Sequence, residues 1–87
     1  MKVTLKHLEI FRAIIESGSY HKAATDLELT QPTLTVAIKN LERELGVSLI
    51  ERSTRNVKFT PAGKELYTHL PSIFDRLDIA LTSAKDV

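Results

Sequence analysis

This sequence of 87 residues lacks several ingredients that would point to particular chemistry. It contains no cysteine, which excludes disulfide bonds and thiolate metal ligands. Its three histidines, His7, His21 and His69, are too far apart in the sequence for a ligand cluster, so we expect neither a metal nor another cofactor. There is no Gly-rich phosphate loop and no nucleophile elbow. Catalysis is therefore not expected.

Long apolar runs are also absent. No segment approaches the roughly 20 apolar residues that span a bilayer, and the start Met1-Lys2-Val3-Thr4 lacks the apolar part of a secretion signal. We therefore expect a cytoplasmic protein without membrane contacts. Apolar residues make up 43% and charged residues 26% of the chain, which is typical of one small globular domain with a single core.

A strong excess of charge of one sign is missing as well, since the formal net charge is +1. Its distribution along the chain is more informative than its sum. Residues 19–64 carry seven basic and five acidic side chains, whereas residues 65–87 carry two basic and four acidic ones. The excess of positive charge therefore lies in the middle of the chain.

The spacing of apolar residues predicts three helices before residue 47. Thr4, Ser19 and Thr30 are suitable N-cap residues, and the third helix has a proline in its first turn. Gly18 and Gly46 suit the ends of the first and third helices. The apolar positions are Leu5, Leu8, Phe11, Ile14 and Ile15, then Ala23 and Ala24, and then Leu34, Ile38, Leu41 and Leu45.

Only residues 28–30 separate the second and third predicted helices, a spacing typical of a helix-turn-helix that inserts its second helix into the major groove of DNA. No acidic side chain lies between Thr30 and Ile38, and the helix N-terminus adds partial positive charge. Short polar side chains there can contact bases or phosphates, although an ordinary solvated helix surface is the alternative. The predicted outer face consists of Gln31, Thr35, Lys39 and Glu42.

Two strand-like runs, 49–52 and 56–59, predict a small hairpin. Arg52, Arg55 and Lys58 concentrate positive charge there, which suits a DNA backbone or minor groove unless it is merely solvated. Thr60-Pro61 then begins a last helix, and Pro71 inside it predicts a kink or a break. Its apolar stripe predicts a partner helix, with the interface residues Leu66, Leu70, Ile73, Phe74, Leu77 and Leu81.

Taken together, these motifs resemble the N-terminal domain of LysR-type transcriptional regulators over essentially the whole chain. The joint spacing of the motifs carries the resemblance. The matching residues are Leu5, Phe11, Gly18-Ser19-Tyr20, Ala23-Ala24, Leu27, Thr30-Gln31-Pro32-Thr33-Leu34-Thr35, Ile38, Leu41-Glu42, Glu44-Leu45-Gly46, Leu49, Glu51-Arg52 and Thr60-Pro61-Ala62-Gly63.

The resemblance implies a mainly α fold: a winged helix-turn-helix in 3–60, with three helices and a two-stranded wing, followed by a long linker helix in 61–87. It also implies a homodimer whose linker helices pair antiparallel and present two DNA-binding units to an interrupted palindrome in double-stranded DNA. A tetramer is the alternative for the full-length protein. An effector-binding domain normally follows in this family, so a small-molecule effector is expected only there, outside these 87 residues.

For individual residues, the resemblance implies phosphate contacts from the second helix, major-groove contacts from the third and minor-groove or backbone contacts from the wing. The chain departs from the family at Val36 and Ala37, where an arginine and a glutamine are frequent. Val36 can instead contact a thymine methyl. The full set of expected DNA contacts is Ser19, Lys22, Thr30, Gln31, Pro32, Thr33, Thr35, Val36, Lys39, Arg52, Thr54, Arg55 and Lys58.

One alternative function stays open on sequence grounds. The low net charge and Val36 are also compatible with a winged-helix module that pairs with protein through its linker helix and does not bind specific DNA. The two functions differ in salt dependence, because binding to duplex DNA releases counterions and weakens steeply as salt is added.

Overall fold

The computed structural model describes residues 2–51 and 57–87 of the chain. Within these residues the fold is mainly helical, with one antiparallel hairpin, as the sequence predicts. The hairpin pairs Ile50 with Phe59 and Glu51 with Lys58, so its strands are shorter than the predicted runs. The elements are α1 (Leu5–Ser17), α2 (Tyr20–Leu27), α3 (Gln31–Leu45), β1 (Ile50–Glu51), β2 (Lys58–Phe59) and α4 (Pro61–Lys85).

Local capping explains where the first three helices begin. The hydroxyl of Thr4 accepts a hydrogen bond from the His7 backbone N–H, and the His7 ring Nδ1 accepts one from the Thr4 N–H, each at 3.2 Å. Histidine thus takes the place that glutamate or glutamine holds in an ordinary capping box. The hydroxyls of Ser19 and Thr30 cap α2 and α3 in the same way, at 2.9 and 3.3 Å from the N–H three residues on. All three predicted N-caps are confirmed.

The core lies where α1, α2 and α3 meet the base of the hairpin and the first half of α4. Leu5 and Leu45, two apolar positions of the predicted helices, are 44% and 36% exposed because they are the first residue of α1 and the last of α3. Ile10 was not among the predicted apolar positions, yet it is only 2% exposed. The largest fully enclosed side chains are Phe11, Ile14, Leu34, Ile38, Leu41, Leu49 and Leu70.

The apolar stripe of α4 divides into two parts. Leu70 is fully buried in the core of its own chain, so its assignment to the dimer interface is corrected: it closes the core and presents no free surface. Leu66, Ile73 and Phe74 pack partly against the same core. Beyond Phe74 the core no longer covers the stripe: Leu77 is half-buried and Leu81 is 61% exposed.

Helix α4 continues through Pro71 from Pro61 to Lys85, so of the two predicted alternatives the break does not occur and the kink stays a prediction. Proline removes one backbone hydrogen bond from the interior of a helix, a cost of about 3 kcal/mol. The packing of Leu70 and its neighbours on the core offsets part of that cost. None of the helices in the described residues is both long enough and apolar enough to span a membrane.

Polar and aromatic contacts fix the direction in which α4 leaves the body. The Arg12 guanidinium of α1 lies 4.1 Å from the ring centroid of Phe74, a cation–π contact. Two turns earlier in α4, the Tyr67 hydroxyl donates a 2.8 Å hydrogen bond to the Glu16 carboxylate of α1. That hydrogen bond, with desolvation adding to it, raises the pKa of Tyr67 above its ordinary value. Tyr67 also packs against the Phe59 ring of the hairpin, at 5.6 Å between centroids.

Candidate nucleic-acid interface

The N-terminal ends of α2 and α3 come together on one side of the molecule. Ser19 caps α2 and Thr30 caps α3, and exposed Lys22 lies in the first turn of α2. A 3.3 Å contact between the His21 ring Nδ1 and the Gln31 side-chain amide joins the two ends directly. Five predicted DNA contacts, Ser19, Lys22, Thr30, Gln31 and Thr33, therefore share this region.

The electrostatics of both helix ends favour an anion. Neither first turn contains an acidic residue, and each helix N-terminus has partial positive charge. The Ser19 hydroxyl oxygen accepts from the Lys22 backbone N–H, which leaves its hydrogen available to donate outward. The hydroxyls of Thr30 and Thr33 lie 2.8 Å apart, so one of them donates to the other and the second hydrogen stays available. Such donors are suited to phosphate oxygens.

The first two turns of α3 form an exposed face opposite the core-facing Leu34 and Ile38. The face is mostly uncharged, and Lys39 at its far end is its one cation. Gln31, Pro32, Thr33, Val36 and Lys39 are exposed, and Thr35 is half-buried. Such a surface offers a bidentate amide, hydroxyls and apolar groups, the groups with which helices contact base edges in the major groove.

Glu42 lies outside this face, contrary to the prediction. One of its carboxylate oxygens accepts hydrogen bonds from the backbone N–H groups of Leu49, at 2.6 Å, and Ile50, at 3.3 Å, and a third from the Ser48 hydroxyl at 3.3 Å. The last turns of α3 therefore hold the first strand of the hairpin. Sequence reasoning missed this role because the main partners are backbone groups, which leave no pattern in the sequence.

We expect Glu42→Gln to lower the free energy of unfolding by about 1 to 2 kcal/mol, since hydrogen bonds to a charged acceptor are stronger than neutral ones. Urea denaturation measures the change. Glu44→Gln is the matched control, because Glu44 is an exposed carboxylate on the same helix and accepts a hydrogen bond from the Lys2 backbone N–H. Equal losses in the two variants would show that Glu42 does not hold the hairpin in a special way.

The hairpin contributes exposed Lys58 on β2, directly opposite Glu51 on β1. Its base is tied to α4, since the Thr60 N–H donates to the Leu49 carbonyl at 3.0 Å and the Thr60 hydroxyl donates to the Ser48 carbonyl at 2.6 Å. The predicted contacts Arg52, Thr54 and Arg55 lie outside the described residues and stay predictions.

Metal-ligating side chains do not cluster in residues 2–51 and 57–87: no group of three could hold an ion there. A groove beside α1 and α2 is lined by three carboxylates, Glu9, Glu16 and Asp26, and by one cation, Arg12. Its predominantly negative charge makes it unsuitable for a nucleic-acid backbone. The surface around the N-termini of α2 and α3 is the better candidate.

Comparison with known proteins agrees with this geometry. Residues 5–64 match the family model described as bacterial regulatory helix-turn-helix protein, lysR family. Over 83 residues, 95% of this chain, the sequence is 40% identical to the HTH-type transcriptional regulator BenM of Acinetobacter baylyi, covering 27% of that protein. It is 39% identical to the HTH-type transcriptional regulator BudR of Raoultella terrigena over 95% of this chain, covering 29% of that protein. The chain thus spans between a quarter and a third of these relatives.

Solved structures are similar throughout the described fold. The crystal structure of the BenM DNA-binding domain with catB site 1 DNA has a TM-score of 0.91 and 40% identity, covering 95% of this chain and 92% of that one. The C206S mutant of OxyR from Corynebacterium glutamicum has a TM-score of 0.87 and 44% identity, covering 98% of this chain and 27% of that one. The long helix after the hairpin is therefore included in the similarity.

Proposed function

This chain belongs to the LysR family of bacterial helix-turn-helix regulators, and we propose that it binds double-stranded DNA sequence-specifically as part of a homodimeric transcription regulator. The observation that carries the proposal is the convergence of two positively polarised helix ends beside the exposed face of α3, joined by the His21–Gln31 contact. The similarity to the DNA complex of BenM supports the same conclusion.

The contact scheme assigns phosphates and bases to different elements. Ser19 and Lys22 at the start of α2 bind phosphate oxygens and set the register of the protein on the duplex. The face of α3 enters the major groove, where Gln31 and Thr35 meet base edges. The wing residues Arg52, Thr54, Arg55 and Lys58 reach the neighbouring minor groove or backbone.

In the proposed regulator, residues 3–60 form the DNA-binding unit and residues 61–87 form the linker. Two linker helices pair through the C-terminal part of the apolar stripe, which the core leaves uncovered. Leu77 and Leu81 lie at the centre of this interface. Two DNA-binding units on one dimer match the two-fold symmetry of a palindromic site. The chain acts by binding without catalysis, in the cytoplasm, and a small-molecule effector binds outside these residues.

The experiment that tests this function is selection of bound sequences from a random duplex library at near-physiological salt. Enrichment of a two-fold symmetric motif is the expected result, because a dimer contacts two half-sites. If nothing is enriched, the selection is repeated with a forced dimer made by a fused coiled coil. Failure of that selection as well would favour the protein-interaction module over the DNA-binding regulator.

Lys22→Ala is expected to weaken binding to the selected operator and to random DNA by a similar factor. Each phosphate contact contributes about 0.9 to the slope of log affinity against log salt, so two protomers should lose about 1.8 in slope. Binding measured at four salt concentrations gives the slope. The control is Lys85→Ala at the far end of α4, which should leave the slope unchanged. An unaltered slope for Lys22→Ala would remove that residue from the phosphate contacts.

A further inference from the structure

The feature that carries a further inference is an exposed branched apolar side chain in the middle of the α3 face. Val36 is 56% exposed. Among the described residues of α2 and α3, the other exposed large hydrophobic side chain is Leu45, at the opposite end of α3. Single exposed apolar residues are common, so the location of Val36 matters more than its exposure.

Val36 lies one turn beyond exposed Pro32, and positions four apart share a helix face. This apolar pair is bordered by Thr35 and by Lys39, a turn further along. It is therefore inside the surface that the proposed function turns toward DNA. Lys39 lies at the end of the face where we expect a phosphate contact. Pro32 and Val36 lie between Lys39 and the N-terminus of α3, where the proposed function places the base edges.

A valine cannot exchange hydrogen bonds with a base edge, and covering a base donor or acceptor with it leaves that group unpaired, at a cost. The thymine C5-methyl is the one apolar group that the four bases present in the major groove. We infer that Val36 selects a thymine in each half-site of the operator by packing against that methyl group. The inference rests on the proposed function and deepens it, since it names one base and the atoms that recognise it.

The test removes one methyl group at a time from the DNA. Each thymine of the selected operator is replaced by deoxyuridine, in symmetric pairs, and dissociation constants are measured at fixed salt. For the native protein, one pair of replacements should weaken binding by about three- to fourfold per half-site, or about tenfold in total, from the burial of one methyl-sized group. The remaining replacements should have smaller effects.

Two variants assign the effect to Val36. Val36→Ala should bind the unmodified operator more weakly and should no longer distinguish thymine from deoxyuridine at that position, while its salt slope stays the same as in the native protein. Val36→Thr keeps the shape of the side chain and one methyl, so it should retain part of the discrimination. Because Val36 is exposed, neither variant should change the melting temperature by more than a few degrees.

Two results would overturn the inference while leaving the proposed function intact: indifference of the native protein to methyl removal at every thymine, or unchanged discrimination in Val36→Ala. Failure of the native protein to bind unmodified operator would refute the proposed function itself, and the inference with it. The unmodified duplex therefore separates the two failures.

Discussion

Gly63→Ala is expected to lower the free energy of unfolding by about 3 kcal/mol, because the new methyl has no space. A Cβ on Gly63 would overlap the carbonyl oxygen of Leu49 and would lie 2.8 Å from the Phe59 Cβ. The Leu49 backbone cannot easily retreat. Its carbonyl accepts from the Thr60 N–H at 3.0 Å, and its own N–H donates to Glu42 at 2.6 Å.

The matched control is Gly46→Ala at the end of α3. A Cβ there would meet nothing within 4 Å, but Gly46 has a φ of 74°, so the cost is backbone strain alone, about 1 kcal/mol. Urea denaturation gives the free energy of unfolding of both variants, so the cost of steric overlap in Gly63→Ala can be compared with the cost of backbone strain in Gly46→Ala. If Gly63→Ala were no more destabilising than Gly46→Ala, Gly63 could not pack as closely against Leu49 and Phe59 as described.

The consequence of the Gly63 packing extends to function. The hairpin and α4 meet at this glycine, so a shift of α4 would also displace the hairpin strands and, in the proposed dimer, would change the angle at which the two DNA-binding units are presented. We therefore expect any folded fraction of Gly63→Ala to bind the operator more weakly than its stability alone explains.

Leu77→Asp is expected to abolish dimerisation and to reduce operator affinity by about a hundredfold or more, since the advantage of linking two binding units is lost. Leu77 is half-buried in the isolated chain and follows the last stripe residues that the core covers, so a charge there would keep part of its hydration in the monomer and lose it in the dimer. Sedimentation analysis measures the oligomeric state, and a binding titration on the full palindrome measures the affinity.

Ile79→Asp provides the control for Leu77→Asp. Ile79 is 54% exposed and lies two residues along α4 from Leu77, which places it about 200° around the helix, away from the stripe. This variant should remain a dimer and should keep most of its operator affinity. A Leu77→Asp protein that sediments as a dimer would show that two chains pair through another surface. Equal losses in both variants would indicate that the whole circumference of α4 is buried in the dimer.

Much of the fold could be predicted from the sequence because its signals are local. Helix starts depend on one hydroxyl and the N–H three residues on, as at Ser19 and Thr30, so they are visible in a short window. The 3.6-residue period of α3 places exposed Val36 about 200° around the helix from buried Leu34, on the outer side. These short-range rules were sufficient to determine the element order and the helix-turn-helix.

What only the tertiary structure decided depends on contacts between distant parts of the chain. The carboxylate of Glu42 is a surface group by its helical position, yet it holds the backbone of a strand. Leu70 and Leu77 belong to one apolar stripe, but Leu70 is enclosed by its own chain and Leu77 is not. Periodicity states which side of a helix is apolar. It cannot state what covers that side, because the covering surface comes from elements whose positions are set only when the whole chain packs.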